Sequence, residues 1–183
     1  MLTMGVIHIK PKQHGDHRGY FAETYSRRKY SELNIDDEFV QDNHSLSREV
    51  GTLRGLHFQS PPHAQAKLVR CGRGAIFDVA VDIRRGSLTY GQWKAYELTA
   101  ENGEQLYVPV GFAHGFVTLE PDSEIVYKCS DYYAPETEGA LRWDDPDIGI
   151  EWPLKGNPTL SEKDALAPLL KDFESPFIFG ENV

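Results

Sequence analysis

The chain has 183 residues, enough for one substantial core, and its 40% hydrophobic content with nine Tyr, nine Phe and three Trp excludes a disordered polymer. A formal net charge of -9, with no Lys/Arg run longer than Arg27-Arg28-Lys29, argues against nucleic acid or an anionic membrane as the main partner but does not exclude a phosphorylated small ligand, since a local basic pocket can override the global sign. Cys71 and Cys129 are too few for a disulfide framework, and with no signal-peptide core or span-length apolar run the expected compartment is the cytoplasm.

Residues 6–9 (VIHI) and 20–25 (YFAETY) read as short strands on either side of the turn region HGDHRG, making an N-terminal β arm over residues 1–26. Ser26 is placed to cap a short helix, RRKYSEL, with a solvated charged face. From Gln41 the chain is strand after strand: QDNHSL, TLRGLHFQ, AKLVRC, AIFDVAVDI, QWKAYEL, QLYVP, AHGFVTL and SEIVYKC, each bounded by Gly, Pro, Asn or Ser. Such spacing suggests an antiparallel sandwich or barrel, with no repeat that would make a solenoid. Residues 130–183 begin as an ordered loop rich in Pro, Asp and aromatics, then carry LSEKDALAPLL with Ser161 at an N-cap and Asp164 three residues on; the region is expected to pack on the barrel within one domain spanning 1–183.

Period-two alternation places side chains on faces. His57 shares a face with Gln59, Lys67 with Val69 and Cys71, Asp78 with Ile76 and Ala80, and Tyr127 with Ile125 and Cys129. With those faces inward, His57, Lys67, Asp78, His114 and Tyr127 line one cavity, a costly arrangement unless they bond each other or a ligand. Taken singly, each has a blander reading: a satisfied core histidine, a Lys67–Asp78 salt bridge, a strand tyrosine, a first-turn carboxylate at Asp164, and packing for Tyr132, Tyr133, Trp143 and Trp152. Strict alternation also sets Arg54 opposite His57; a bulge near Gly55 would bring them together.

The stretch GTLRGLHFQSPPHAQAKLVRCGRG, Gly51 to Gly74, resembles the first motif of the cupin barrels, G(x)5HxH(x)3-4E(x)6G, with His57 kept, Gln59 in the second His position and Lys67 in the Glu position. The second motif, G(x)5PxGxxH(x)3N, is echoed by Gly103, Pro109, Gly111 and His114, with Thr118 where Asn is usual. An ammonium has no lone pair for a cation, so the expected site holds no metal and instead stabilises negative charge. The phrases DHRGYFAE, QDNHS, LRGLHFQ, AQAKLVR, FDVAVDIRRGS, PVGFAHGF, YKCSDYYAPE and LSEKD resemble the dTDP-4-dehydrorhamnose 3,5-epimerase family, with Ala66 where that family commonly has Gly.

That resemblance implies a mostly β, cupin-type antiparallel barrel (jelly roll) with a few short helices, needing neither metal nor cofactor. It implies inversion of carbons 3 and 5 of dTDP-4-dehydro-6-deoxy-D-glucose in dTDP-L-rhamnose biosynthesis. His57 is then the general base paired with Asp164, Tyr127 the general acid, and Lys67 the partner of the enolate oxygen. Tyr133 stacks on thymine, and Arg18, Glu23, Gln41, Asn43, Arg54, His114, Glu138 and Lys163 contact the nucleotide sugar, Arg18 and Glu23 reaching across a homodimer through an exchanged N-terminal arm. The alternatives are a mono-epimerase or ketoisomerase of a related nucleotide sugar, a non-catalytic cupin that binds one, and a metal-dependent oxygenase, which Gln59 and Lys67 disfavour.

Overall fold

The structure, a computed structural model, describes residues 5–181. Two antiparallel five-stranded sheets face each other. In one the order is β1 (Ile7–Ile9), β9 (Gln105–Val108), β6 (Lys67–Arg73), β11 (Ser123–Cys129), β4 (Gln41–Ser47); in the other it is β12 (Glu138–Ala140), β5 (Leu53–Gln59), β10 (Phe112–Thr118), β7 (Ala75–Asp82), β8 (Trp93–Thr99). A separate hairpin, β2 (Gln13–Asp16) with β3 (Gly19–Ala22), forms the arm. The non-sequential strand order is that of the expected cupin-type jelly roll.

Three apolar layers explain the strand sequences. Between the sheets, Val69, Cys71, Ile76, Ala80, Leu106, Phe116 and Ile125 interdigitate. The outer face of the second sheet, Leu56, Phe58, Val79, Val81 and Ala113, is covered by Leu141, Ile148 and Phe177 from the C-terminal segment. Helix α1 (Arg27–Ser31) and its neighbours cover the first sheet, Tyr30 and Ile35 packing on Leu68 and Tyr107. Strand β7 is buried on both faces, Phe77, Val79 and Val81 toward the C-terminal cover and Ile76, Asp78 and Ala80 toward the space between the sheets, so its sequence lacks a solvent-facing row.

The differences from the sequence reading are local. The strand expected over 20–25 ends at Ala22, and it pairs with Gln13–Asp16, of which His14–Asp16 fall in the expected turn region HGDHRG. Ser26 occupies the N-cap of α1 without a capping side-chain bond, whereas Ser161 does cap α2 (Glu162–Ala165), its hydroxyl accepting from the Asp164 N–H. Helix α2 is one turn long because Pro168 disfavours helical backbone just before it. Within the segment read as loop, Glu138–Ala140 adds strand β12 to the edge of β5, a pairing too short to leave a periodic signature.

Candidate active site

The site begins with an irregularity between β5 and β10. His114 is paired with His57 and Phe116 with Arg54, so two residues of β5 oppose one of β10. This bulge at Gly55 and Leu56 turns Arg54 onto the face of His57, as the alternation required if both are to face one cavity. Gly55 is needed there: its φ is +134°, and a Cβ would lie 2.5 Å from Gly115 Cα and 2.9 Å from the His114 carbonyl oxygen.

The resulting cavity, about 520 Å³, opens between the sheets at the α2 side and is lined by His57, Lys67, His114 and Tyr127 among others. His57 Nε2 lies 2.6 Å from Asp164 Oδ1, while Asp164 Oδ2 accepts from the Gly55 amide at 3.4 Å. Burial pushes the Asp164 carboxyl up, but His57, the Gly55 amide and Ser161 outweigh it and hold it below the usual range, ionised and fixed on the imidazole. His57 thus has one nitrogen anchored and its ring at the cavity wall, the arrangement of an oriented general base.

Lys67 and Tyr127 come from the facing sheet. No carboxylate lies within ion-pair distance of Lys67 Nζ among the described residues, and the ammonium lies over the Tyr127 ring, 6.0 Å from its centroid. Burial draws the ammonium below its ordinary range; Cys129, Asp78 and Glu138 push back. Burial, and after it the neighbouring Cys129, raises the Tyr127 phenol, so the group is a proton donor at neutral pH.

At the rim Lys163 Nζ meets Glu138 Oε2 at 2.5 Å, and the Tyr133 hydroxyl donates to the same oxygen at 3.3 Å. Burial raises Glu138, but Lys163 chiefly, then His57 and Tyr133, bring it below the usual range. Arg54, anchored to Ser47 Oγ at 3.2 Å, completes the wall. Gln41 and Asn43 stand beside the cavity: Gln41 accepts from the Tyr133 amide at 3.0 Å and donates to Asn43, which in turn reaches Cys129 Sγ.

Arg18 and Glu23 are not brought to this cavity within the chain. Arg18 is paired with Asp16 in the hairpin turn and Glu23 with Lys29 at 2.7 Å. The Lys67–Asp78 salt bridge is also replaced: Asp78 Oδ1 is instead 2.8 Å from His114 Nε2. Ser45 and Phe116, not among the residues expected from the sequence, also line the cavity, each two residues along its strand from Asn43 or His114 and so on the same face by alternation. Thr159 and Leu160, also lining, sit in a loop that gives no such signal. Among the described residues no cluster of three or more His, Cys, Asp or Glu is arranged to hold a metal ion.

Comparisons with known proteins agree over about nine-tenths of the chain. The family model described as dTDP-4-dehydrorhamnose 3,5-epimerase matches residues 2–172. A protein of that description from Sinorhizobium fredii is 55% identical over 170 residues, covering 92% of this chain and 87% of the relative, and one from Salmonella typhimurium is 54% identical, covering 90% of each. The solved structure of dTDP-6-deoxy-D-glucose-3,5-epimerase from Legionella pneumophila, in complex with dTDP-4-keto-L-rhamnose, is similar with a TM-score of 0.89 and 49% identity, covering 92% of this chain and 89% of that one.

Proposed function

The chain belongs to the dTDP-4-dehydrorhamnose 3,5-epimerase family, and from that premise we propose how its own residues divide the reaction. The enzyme inverts carbons 3 and 5 of dTDP-4-dehydro-6-deoxy-D-glucose, giving dTDP-4-dehydro-L-rhamnose for dTDP-L-rhamnose biosynthesis. Both carbons flank the 4-keto group, so each bears a proton acidified by the same carbonyl. One base and one oxyanion partner can therefore serve both centres.

His57 removes the proton, and its imidazolium is stabilised by the buried Asp164 carboxylate at 2.6 Å. Electrons move into the carbonyl, and the enolate oxygen is met by the Lys67 ammonium, whose lack of a carboxylate partner among the described residues leaves it free to take one. Tyr127, on the sheet facing His57, returns a proton to the opposite face of the carbon and inverts it. Tyr133 stacks on thymine, and Arg54, His114, Glu138 and Lys163 with Gln41 and Asn43 hold the nucleotide sugar; no cofactor or metal takes part. The observation that carries this reading is a carboxylate-oriented imidazole and a protonated phenol on facing sheets of one cavity, whose lining also includes an ammonium with no carboxylate partner among the described residues.

Arg18 and Glu23 act in the cavity of a second copy in a homodimer. Exposed Tyr20 (59%) and Phe21 (71%) on the arm support this, since they leave an apolar surface that a partner would cover. The chain works as one cupin domain in the cytoplasm, consistent with two buried free thiols. No helix among the described residues is long and apolar enough to cross a membrane.

The test is substrate incubation in deuterated water with exchange at carbons 3 and 5 followed by NMR. His57→Ala should lose exchange at both carbons by about a hundredfold or more. Tyr127→Phe should still admit deuterium, but with retained configuration, because the base returns a proton to the face it came from. Wild-type exchange and inversion in both variants would remove the roles assigned here.

A further inference from the structure

Asp78 is a fully buried carboxylate of the barrel and has no part in the chemistry above. It is fully buried on β7 with Ile76 and Ala80 of the inter-sheet core on its face and Phe116 and Tyr96 as strand partners. It does not line the cavity; it stands behind His114, which does. Its Oδ1 takes His114 Nε2 at 2.8 Å, and its Oδ2 is buried with no hydrogen-bond partner among the described residues. A leucine here would pack without that desolvation cost, so the carboxylate is poorly explained by stability. Two cavity residues feel it. His114 is paired with His57 across β5 and β10, and Lys67 reaches the cavity from the facing strand that packs Val69 and Cys71 into the same core layer as Ile76 and Ala80.

We propose that Asp78 is a positioning residue that sets the hydrogen-bonding sense of two neighbours at once: it holds His114 with the Nε2 proton toward the core and Nδ1 presented to the cavity as an acceptor for a sugar hydroxyl, and its second oxygen supplies the buried negative charge opposite Lys67. The first half follows from chemistry, because a carboxylate accepts and the imidazole nitrogen facing it must donate, leaving the other nitrogen with its lone pair when the ring is neutral. The second half follows from charge. Around Lys67 stand the Cys129 thiol and Tyr127 on β11, His114 on β10, His57 with Asp164, Glu138 with Lys163, and Asp78. Of these, Glu138 and Asp164 are each already engaged by a cation or imidazole, while Asp78 keeps one oxygen uncommitted. Asp78 is among the groups that favour the protonated form of Lys67 against the burial that opposes it. One carboxylate therefore makes one neighbour an acceptor and keeps the other a cation.

This rests on the roles given to Lys67 and His114 above, but its test reads the two side chains directly. In wild-type protein, nitrogen-15 NMR of the histidine rings, with His114 assigned by its absence in His114→Gln, should show the proton on Nε2 in the neutral ring; the Nδ1–H tautomer would overturn the first half. In Asp78→Asn, whose amide oxygen can still accept from His114, the Lys67 side-chain signal, assigned against Lys67→Arg, should titrate about one pH unit or more lower than in wild type. Turnover should fall about tenfold or more with KM changed less than about threefold, and the melting temperature should hold or rise, since a carboxylate leaves the core. An unmoved Lys67 midpoint would overturn the second half whatever happens to turnover. Should Asp78→Asn fail to fold, the wild-type tautomer still decides the first half, and Asp78→Ser, smaller and uncharged, replaces it for the titration.

Discussion

Gly55→Ala is the change that most directly tests how the site is built. The added Cβ would lie 2.5 Å from Gly115 Cα and 2.9 Å from the His114 carbonyl oxygen, both backbone atoms that no rotamer change can clear. Overpacking of that kind costs about 1–3 kcal/mol. Holding alanine at φ +134° adds about 1–3 kcal/mol of backbone strain. The expected loss is about 4 kcal/mol, which for a chain of this length lowers Tm by about 8–16 °C. Gly19 separates the two contributions. Its φ is +131° with nothing within 4 Å of the added carbon, so Gly19→Ala carries the strain without the collision and should cost about half as much. Because the bulge sets His57 and Arg54 on one face, relief by parting β5 from β10 moves the base. A shift on the order of 1 Å costs roughly a hundredfold in turnover. Thermal unfolding with exchange kinetics measures both effects. Equal Tm losses in the two variants, or wild-type turnover in Gly55→Ala, would refute the argument that this crossing aligns the site.

Asp164→Asn removes the charge behind His57 while keeping its size, and solvent exchange at carbons 3 and 5 should slow by about a hundredfold or more, read by NMR. The same carboxyl has a pH consequence: its folded-state affinity for protons is below the ordinary value, so its stabilisation is present above about pH 4 and is lost as pH falls through the lower folded value. Chemical denaturation at a series of pH values should therefore show the wild-type advantage over Asp164→Asn shrinking on the acid side and constant above it; an advantage that grows on acidification would contradict the sign. Purified protein should carry no stoichiometric transition metal and keep its activity in chelator, by elemental analysis and assay, because Lys67 and Gln59 stand where a carboxylate and an imidazole would be needed. Mixing Arg18→Ala with His57→Ala protein under subunit exchange should recover activity through one intact hybrid site, and no recovery despite demonstrated exchange would count against a shared arm.

Much of the fold was legible because alternation is a strong signal in strands with one face in a core. Lys67 and Tyr127 line the cavity as period two required, whereas Asp78, also expected to line it, points inward but is buried behind His114. What alternation cannot carry is the point where it breaks. Arg54 and His57 share a face only through the bulge, whose sequence trace is a single glycine. Nor does it identify hydrogen-bond partners: charge alone suggests a direct Lys67–Asp78 salt bridge, whereas the bond Asp78 forms is with His114, its neighbour on the adjoining strand. Short elements held by tertiary contact, β12 on the edge of β5 and Gln13–Asp16 in the arm, have no propensity of their own to read.

Gln59 makes a metal site in this barrel hard to reach by single steps. Its amide nitrogen donates to the carbonyls of His63 at 2.7 Å and Tyr132 at 3.1 Å, and its oxygen accepts from the Ala134 amide at 2.9 Å, so one side chain pins both loops at the cavity mouth. Gln59→His would supply the imidazole that metal-binding cupins carry at this position, but a neutral ring has one donor and one acceptor and leaves at least one of these backbone groups unsatisfied. Each such orphan costs about 1–3 kcal/mol, with Tyr133 set adrift beside it, while Lys67 still repels the cation that could offset the loss. A mutational path to a metal site crosses a valley: position 59, position 67 and a new anchor for the backbone groups Gln59 holds must change together, and every intermediate loses stability without gaining a metal.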